Sequence, residues 1–113
     1  FVSDRASGQI LQIAVGGKVL TEARVVAADL TTPEGFVKFQ EKFAVFEADT
    51  GQVVVVDNQG AKQVVAKVPE GSQAASPAQP PSQVFNGITV DAEGTLFVAG
   101  ESNRVLYRIA NAF

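Results

Sequence analysis

An internal repeat constrains this chain more than any other feature of its 113 residues. "FVSDRASGQILQI" (residues 1–13) aligns without a gap with "AVFEADTGQVVVV" (44–56), and with one deletion with "FVAGESNRVLYRI" (97–109). Each copy reads as an apolar strand ending in a small or acidic residue, a polar turn, and a second apolar strand. The segment before this hairpin also recurs. "PEGFVKFQEKFAVF" (33–46) matches "FNGITVDAEGTLFV" (85–98), which pairs Glu34-Gly35 with Asn86-Gly87. Two copies continue into a further strand, in "EARVVAADL" (22–30) and "AKQVVAKVP" (61–69).

The spacing predicts an all-β chain built from four-stranded antiparallel units of about 40 to 50 residues. Turns are expected at Gly17, Gly51, Gly60 and Gly94, because glycine adopts positive φ without strain. "DNQG" and "DAEG" each read as a hairpin turn that opens on Asp and closes on Gly. Strands are expected near 10–15, 24–29, 35–40, 43–47, 52–57, 63–68, 86–91, 95–99 and 104–110, with a further one at 1–4. "FQEKFAVFEA" also fits an amphipathic helix, with Phe39, Phe43 and Phe46 at helical spacing; its alignment with the strand-turn-strand "VDAEGTLFVA" favours β. Four-stranded units at this period are the mark of a β-propeller, in which each blade covers its neighbour's apolar face. A β-sandwich of ten short strands is the alternative. The expected division is a single partial propeller over 1–113: an incomplete blade 1–31, a complete blade 32–69, a Pro-rich loop 69–84 and an incomplete blade 85–113.

Composition narrows the chemistry. Cys, His, Met and Trp are absent, which excludes disulfides, thiolate nucleophiles, a Ser-His-Asp triad and His- or Cys-ligated metal. Carboxylates, amides, hydroxyls, Lys, Arg and Tyr107 remain. Net charge is −3 and no segment is strongly basic, so neither nucleic acid nor an anionic membrane is an expected partner. The apolar runs are too short to span a bilayer as a helix. The lack of Cys fits a periplasmic or secreted protein. The start at Phe1, inside an apolar run, fits a processed product or part of a longer polypeptide.

"NGITVDAEGTLFVAGESNRVLYRI" (86–109) resembles the repeats of NHL-type and SMP-30/gluconolactonase-type propellers. The likeness lies in an Asn-Gly opening, alternating apolar residues, D-x-x-G, L-F-V, a small or acidic pair, then N-R-V. "TPEGFVKF" and the long Pro-rich insert are also similar to ScyD/ScyE-like bacterial propellers. The resemblance implies a propeller whose ligands sit at a central channel. In the SMP-30 type it implies a divalent cation held by Glu, Asn and Asp oxygens. Glu34 of "PEG" and Asn86 of "NG" occupy the two matching openings, a donor pair that suits Ca²⁺ or Mg²⁺. The family's later acid falls near Gly100, where this chain has none; Asp4 and Glu47 hold the equivalent position in the other two copies. The plainer reading makes Glu34 and Asn86 turn residues. Asp4 and Glu47 are the candidates for ligand or channel contact. Glu47, Asp49 and Asp57 read as a solvated turn and edge, and Tyr107, Arg104 and the phenylalanines as packing between blades.

Three functions follow as expectations. One is an extracytoplasmic propeller module that binds a protein or small ligand through its loops or channel. Another is a metal-dependent lactonase or esterase of the SMP-30 type. The third is a structural subunit or piece of a larger assembly. Only about two and a half blades are present, against the usual four to eight. The expected partner is therefore another copy of the chain, or further chain segment, completing the ring.

Overall fold

The computed structural model describes residues 1–68, 87–100 and 105–113, and every regular element among them is a β-strand. The Pro-rich loop, Asn86 and Arg104 lie outside the described residues. Among the described residues ten strands form three antiparallel meanders in chain order. Sheet 1 comprises β1 (Val2–Asp4), β2 (Gln9–Val15) and β3 (Lys18–Ala27). Sheet 2 comprises β4 (Pro33–Phe39), β5 (Lys42–Glu47), β6 (Gln52–Val56) and β7 (Lys62–Lys67). Sheet 3 comprises β8 (Ile88–Val90), β9 (Leu96–Gly100) and β10 (Val105–Ile109). The strand counts of three, four and three are those expected from the repeat.

The alternative helix over 39–48 is not formed. Phe39 pairs with Lys42 across a two-residue turn, and Gln40 takes φ 53° there. The Asp-x-x-Gly turns form as expected. Asp57 and Asp91 each accept two backbone N–H groups on one carboxylate oxygen, and Gly60 and Gly94 both close at φ 84°. β3 begins earlier than the expected residue 24. Gly16 and Gly17, at φ 56° and 78°, make a tight hairpin that starts it at Lys18. That stretch is mostly exposed, so burial imposes no alternation for the sequence to display.

Pairing registers sharpen the repeat. Val2 pairs with Leu11, Val45 with Val54 and Val98 with Tyr107, so these three pairs are equivalent. No deletion separates the first copy from the third. The ungapped match of 33–46 with 85–98 holds only to the turn. Lys38 pairs with Phe43 but Val90 with Leu96, so the later turn is longer and Val98 corresponds to Val45. A bulge recurs too. Ile10 and Leu11 pair with Ala27 and Val25, skipping Val26; Val53 and Val54 pair with Ala66 and Val64, skipping Val65.

Sheet 2 lies between the other two. On β5 and β6, Phe43, Val45, Val54 and Val56 pack with Ile10, Ala27 and Leu30 of the sheet 1 side. The alternate residues Ala44, Phe46, Val53 and Val55 pack with Leu96 and Val98 of sheet 3. The period of two thus delivers apolar side chains to both faces, which explains why β5 and β6 read as continuous apolar runs. Phenylalanines fill the gaps as expected: Phe1 meets Phe43 edge-on at 5.2 Å, and Phe39 meets Phe113 at 4.9 Å. Tyr107 packs against the sheet 2–sheet 3 core.

Candidate functional site

The first strands of the three sheets, β1, β4 and β8, lie side by side and bound a cleft of about 460 Å³. Phe1, Val2, Phe36 and Ile88 give it apolar walls; Ser3 and Glu34 give it polar groups, and Gly35 and Gly87 form part of the lining. The two openings singled out by the repeat, Glu34-Gly35 and the glycine after Asn86, therefore meet in one place. Asn86 itself lies outside the described residues.

Glu34 sits at an irregularity in β4. Pro33 pairs with Glu47 and Phe36 with Val45, so Glu34 and Gly35 interrupt the ladder. Only 15% of the Glu34 side chain is exposed. Its Oε1 pairs with the Arg5 guanidinium at 3.1 Å, while Oε2 is buried without a hydrogen-bond partner among the described residues. The Ser3 hydroxyl donates to the Glu34 carbonyl at 2.9 Å, fixing β1 against β4. Arg5 also reaches Asp49 at 4.0 Å. Among the described residues no three acids cluster as a metal cage. Glu34 thus presents one carboxylate oxygen already matched by a cation and one that lacks a donor.

Asp4 and Glu47, the expected ligand or channel residues, end β1 and β5 at equivalent positions. Neither lines this cleft. Asp4 Oδ1 accepts the amides of Ala6 and Ser7, an Asx-type turn that starts the connection to β2. Hydrogen bonding from the Ser7 side chain, then the Ser7 amide, holds the Asp4 carboxyl below its ordinary value; slight desolvation opposes this. Glu47 departs from the expectation of a solvated acid, being 6% exposed. Its Oε1 accepts the Thr31 amide at 2.7 Å and its Oε2 the Thr50 hydroxyl at 3.4 Å. It ties the link between sheets 1 and 2 to the turn after β5. The link needs such ties, because Asp29 and Thr32 hold positive φ of 56° and 43°. Asp57 is not part of an acid cluster with Glu47. It follows β6 at the far end of the hairpin, where it caps its own turn.

Arg5 escaped the sequence reading. It lies in a polar turn, distant in sequence from Glu34, and only the stacking of sheet 1 on sheet 2 unites them. Compared with models of protein families, with curated proteins and with solved structures, the chain matches none.

Proposed function

We propose that the chain is a partial β-propeller, with blades at 1–31, 32–69 and 85–113, that serves as a non-catalytic binding module outside the cytoplasm. Three features support the blade reading. The sheets are meanders in chain order, sheet 2 is packed between its neighbours, and the same positions recur in each. In this reading β4 and β8 are innermost strands lining the channel, and β1 is a second strand. The absence of Cys supports the location.

The observation that carries binding is the cleft between β1, β4 and β8, which Glu34 lines and where its Oε2 has no hydrogen-bond partner among the described residues. Its ligand is a small molecule with an apolar body and an N–H or O–H group. Benzylamine and benzyl alcohol are suitable probes. Titrating each into the isotope-labelled chain should shift the amides of Ser3, Gly35 and Ile88, and Glu34→Gln should weaken benzylamine more than benzyl alcohol. Unmoved cleft amides with either probe would overturn the proposal.

One observation favours the metal-dependent lactonase as a second reading: Glu34 and Gly87, neighbour of Asn86, line the same cleft. The Arg5–Glu34 pair weighs against it, since a guanidinium holds the oxygen a cation needs. Isothermal titration with Ca²⁺, Mg²⁺, Mn²⁺ and Zn²⁺ separates the readings. Micromolar binding lost in both Glu34→Ala and Asn86→Ala supports the enzyme, and no binding of any ion removes it.

A further inference from the structure

The outer faces of sheets 1 and 3 occupy the positions of faces that are covered inside the molecule, although Arg108 stands where sheet 2 has Val55. In sheet 2 the cross-strand pair Val45–Val54 is 0% and 3% exposed beneath sheet 1. Its equivalent in sheet 1 is Val2–Leu11, extended to Val25 by the β2–β3 register. These residues alternate with Ile10, which packs on sheet 2, so they occupy the opposite face. Val2 is 37% and Val25 49% exposed there. At the other end, Val53 of sheet 2 is fully buried against sheet 3, whereas its equivalent Leu106 is 68% exposed. Leu106 pairs with Ala99, which is exposed too and stands where sheet 2 has Phe46.

The chain therefore carries both halves of one interface: at one end the face sheet 2 offers to sheet 1, at the other the face sheet 2 offers to sheet 3. We infer that sheet 3 of one copy packs on sheet 1 of a second copy, head to tail. The pattern to copy is already built twice within the chain, which is why the occupant is a second copy and not an unrelated protein. On the blade reading proposed above, on which this stoichiometry rests, two copies close the ring. The three sheets among the described residues, taken twice, make six, inside the usual four to eight. Both contacts of a two-copy ring are the same heterologous interface, so it closes without leaving an open end.

Sedimentation equilibrium of the 113-residue chain tests this directly. A species near twice the 11.8 kDa chain mass is expected. Val25→Asp and Leu106→Asp should each weaken self-association by at least about tenfold. Circular dichroism and a cooperative urea transition show that the variants remain folded. Mixing the two variants should restore a dimer that neither forms alone, because the mixed pair keeps one intact contact. A monomer at millimolar concentration overturns the inference. So does a dimer that survives Leu106→Asp, which marks a like-to-like contact, or an assembly larger than two copies. Cleft binding of benzylamine by a strictly monomeric chain would sink this inference while leaving the binding reading intact.

Discussion

Val45 and Val2 occupy the same position in two copies of one repeat, yet Val45 is fully buried and Val2 is 37% exposed. One in-sheet difference contributes: β5 has β4 beside it, whereas β1 is an edge strand. Both are valines at equivalent positions of the repeat, facing the same way, in the same register with the next strand. Sheet 2 has a sheet on each side and sheet 1 has a sheet on one. Burial in this architecture belongs to a strand's neighbours and not to its own sequence. An apolar strand is thus a statement that a face must be covered, without saying by what.

The contrast can be broken by substitution. Val45→Ala should cost about 2–3 kcal/mol, from the lost methyl groups and the cavity they leave. Val2→Ala should cost less than about 0.5 kcal/mol at a concentration where the chain is monomeric. Urea unfolding of the dilute chain measures both. Equal costs would show that sheet 1 is covered in the free molecule.

The turn glycines sharpen it. Gly8 and Gly51 are equivalent and share φ 67°. Each carbonyl accepts the amide of the residue that leaves its sheet, Leu30 at 3.0 Å and Val68 at 2.8 Å. A Cβ on Gly8 would stand 2.3 Å from the Leu30 carbonyl oxygen, and on Gly51 2.9 Å from that of Val68. Backbone cannot yield as a side-chain end can. Gly8→Ala should cost about 2 kcal/mol or more, Gly51→Ala somewhat less, and Gly17→Ala, with open space around it, only about 1 kcal/mol for its positive φ. Thermal unfolding that ranks Gly17→Ala as the worst would refute the close approach.

The strand order, the Asp-x-x-Gly turns and the repeat were legible because they rest on short-range rules: alternation, positive φ at glycine, and an Asp oxygen accepting nearby amides. The site was legible in half. Glu34 stood out by its place in the repeat, but its partner Arg5 did not, because a turn arginine carries no mark of the strand it will face. Glu47 read as solvated because acids usually are. Its burial follows from a remote need, the Thr31 amide in a strained link between sheets. The exposed stretch of β3 was unreadable for the converse reason, since nothing packs on it to impose a pattern.

Glu47 and Asp4 form the next contrast, as equivalent acids in a covered and an open sheet. Glu47→Ala removes acceptors for Thr31 and Thr50 and should cost about 1–2 kcal/mol. Asp4→Ala should cost less, because the amides of Ala6 and Ser7 are exposed and water replaces the carboxylate. Urea unfolding at neutral pH ranks the pair, and a larger loss at Asp4 would reverse their assigned roles.

The smallest effect expected is the pH dependence of Asp4. Its carboxyl lies below the ordinary value of 3.8, chiefly through hydrogen bonding from the Ser7 side chain and then the Ser7 amide. A lowered folded-state value means that the native chain releases this proton more readily than the unfolded chain. The carboxylate then contributes stability that is fully present above the unfolded value and is lost as pH falls through the folded one. Asp4→Asn keeps an acceptor oxygen for the turn but cannot titrate. The variant should be slightly less stable than the natural chain at pH 7 and at pH 5. The gap should narrow as pH drops below about 3.8 and vanish once both states are protonated. Urea midpoints of the two proteins, measured in parallel from pH 7 to pH 2, read the gap directly and cancel the titration of every other carboxylate they share. A gap that stays constant down to pH 2 would mean that the carboxylate charge contributes nothing, and that the turn at the end of β1 needs only an oxygen.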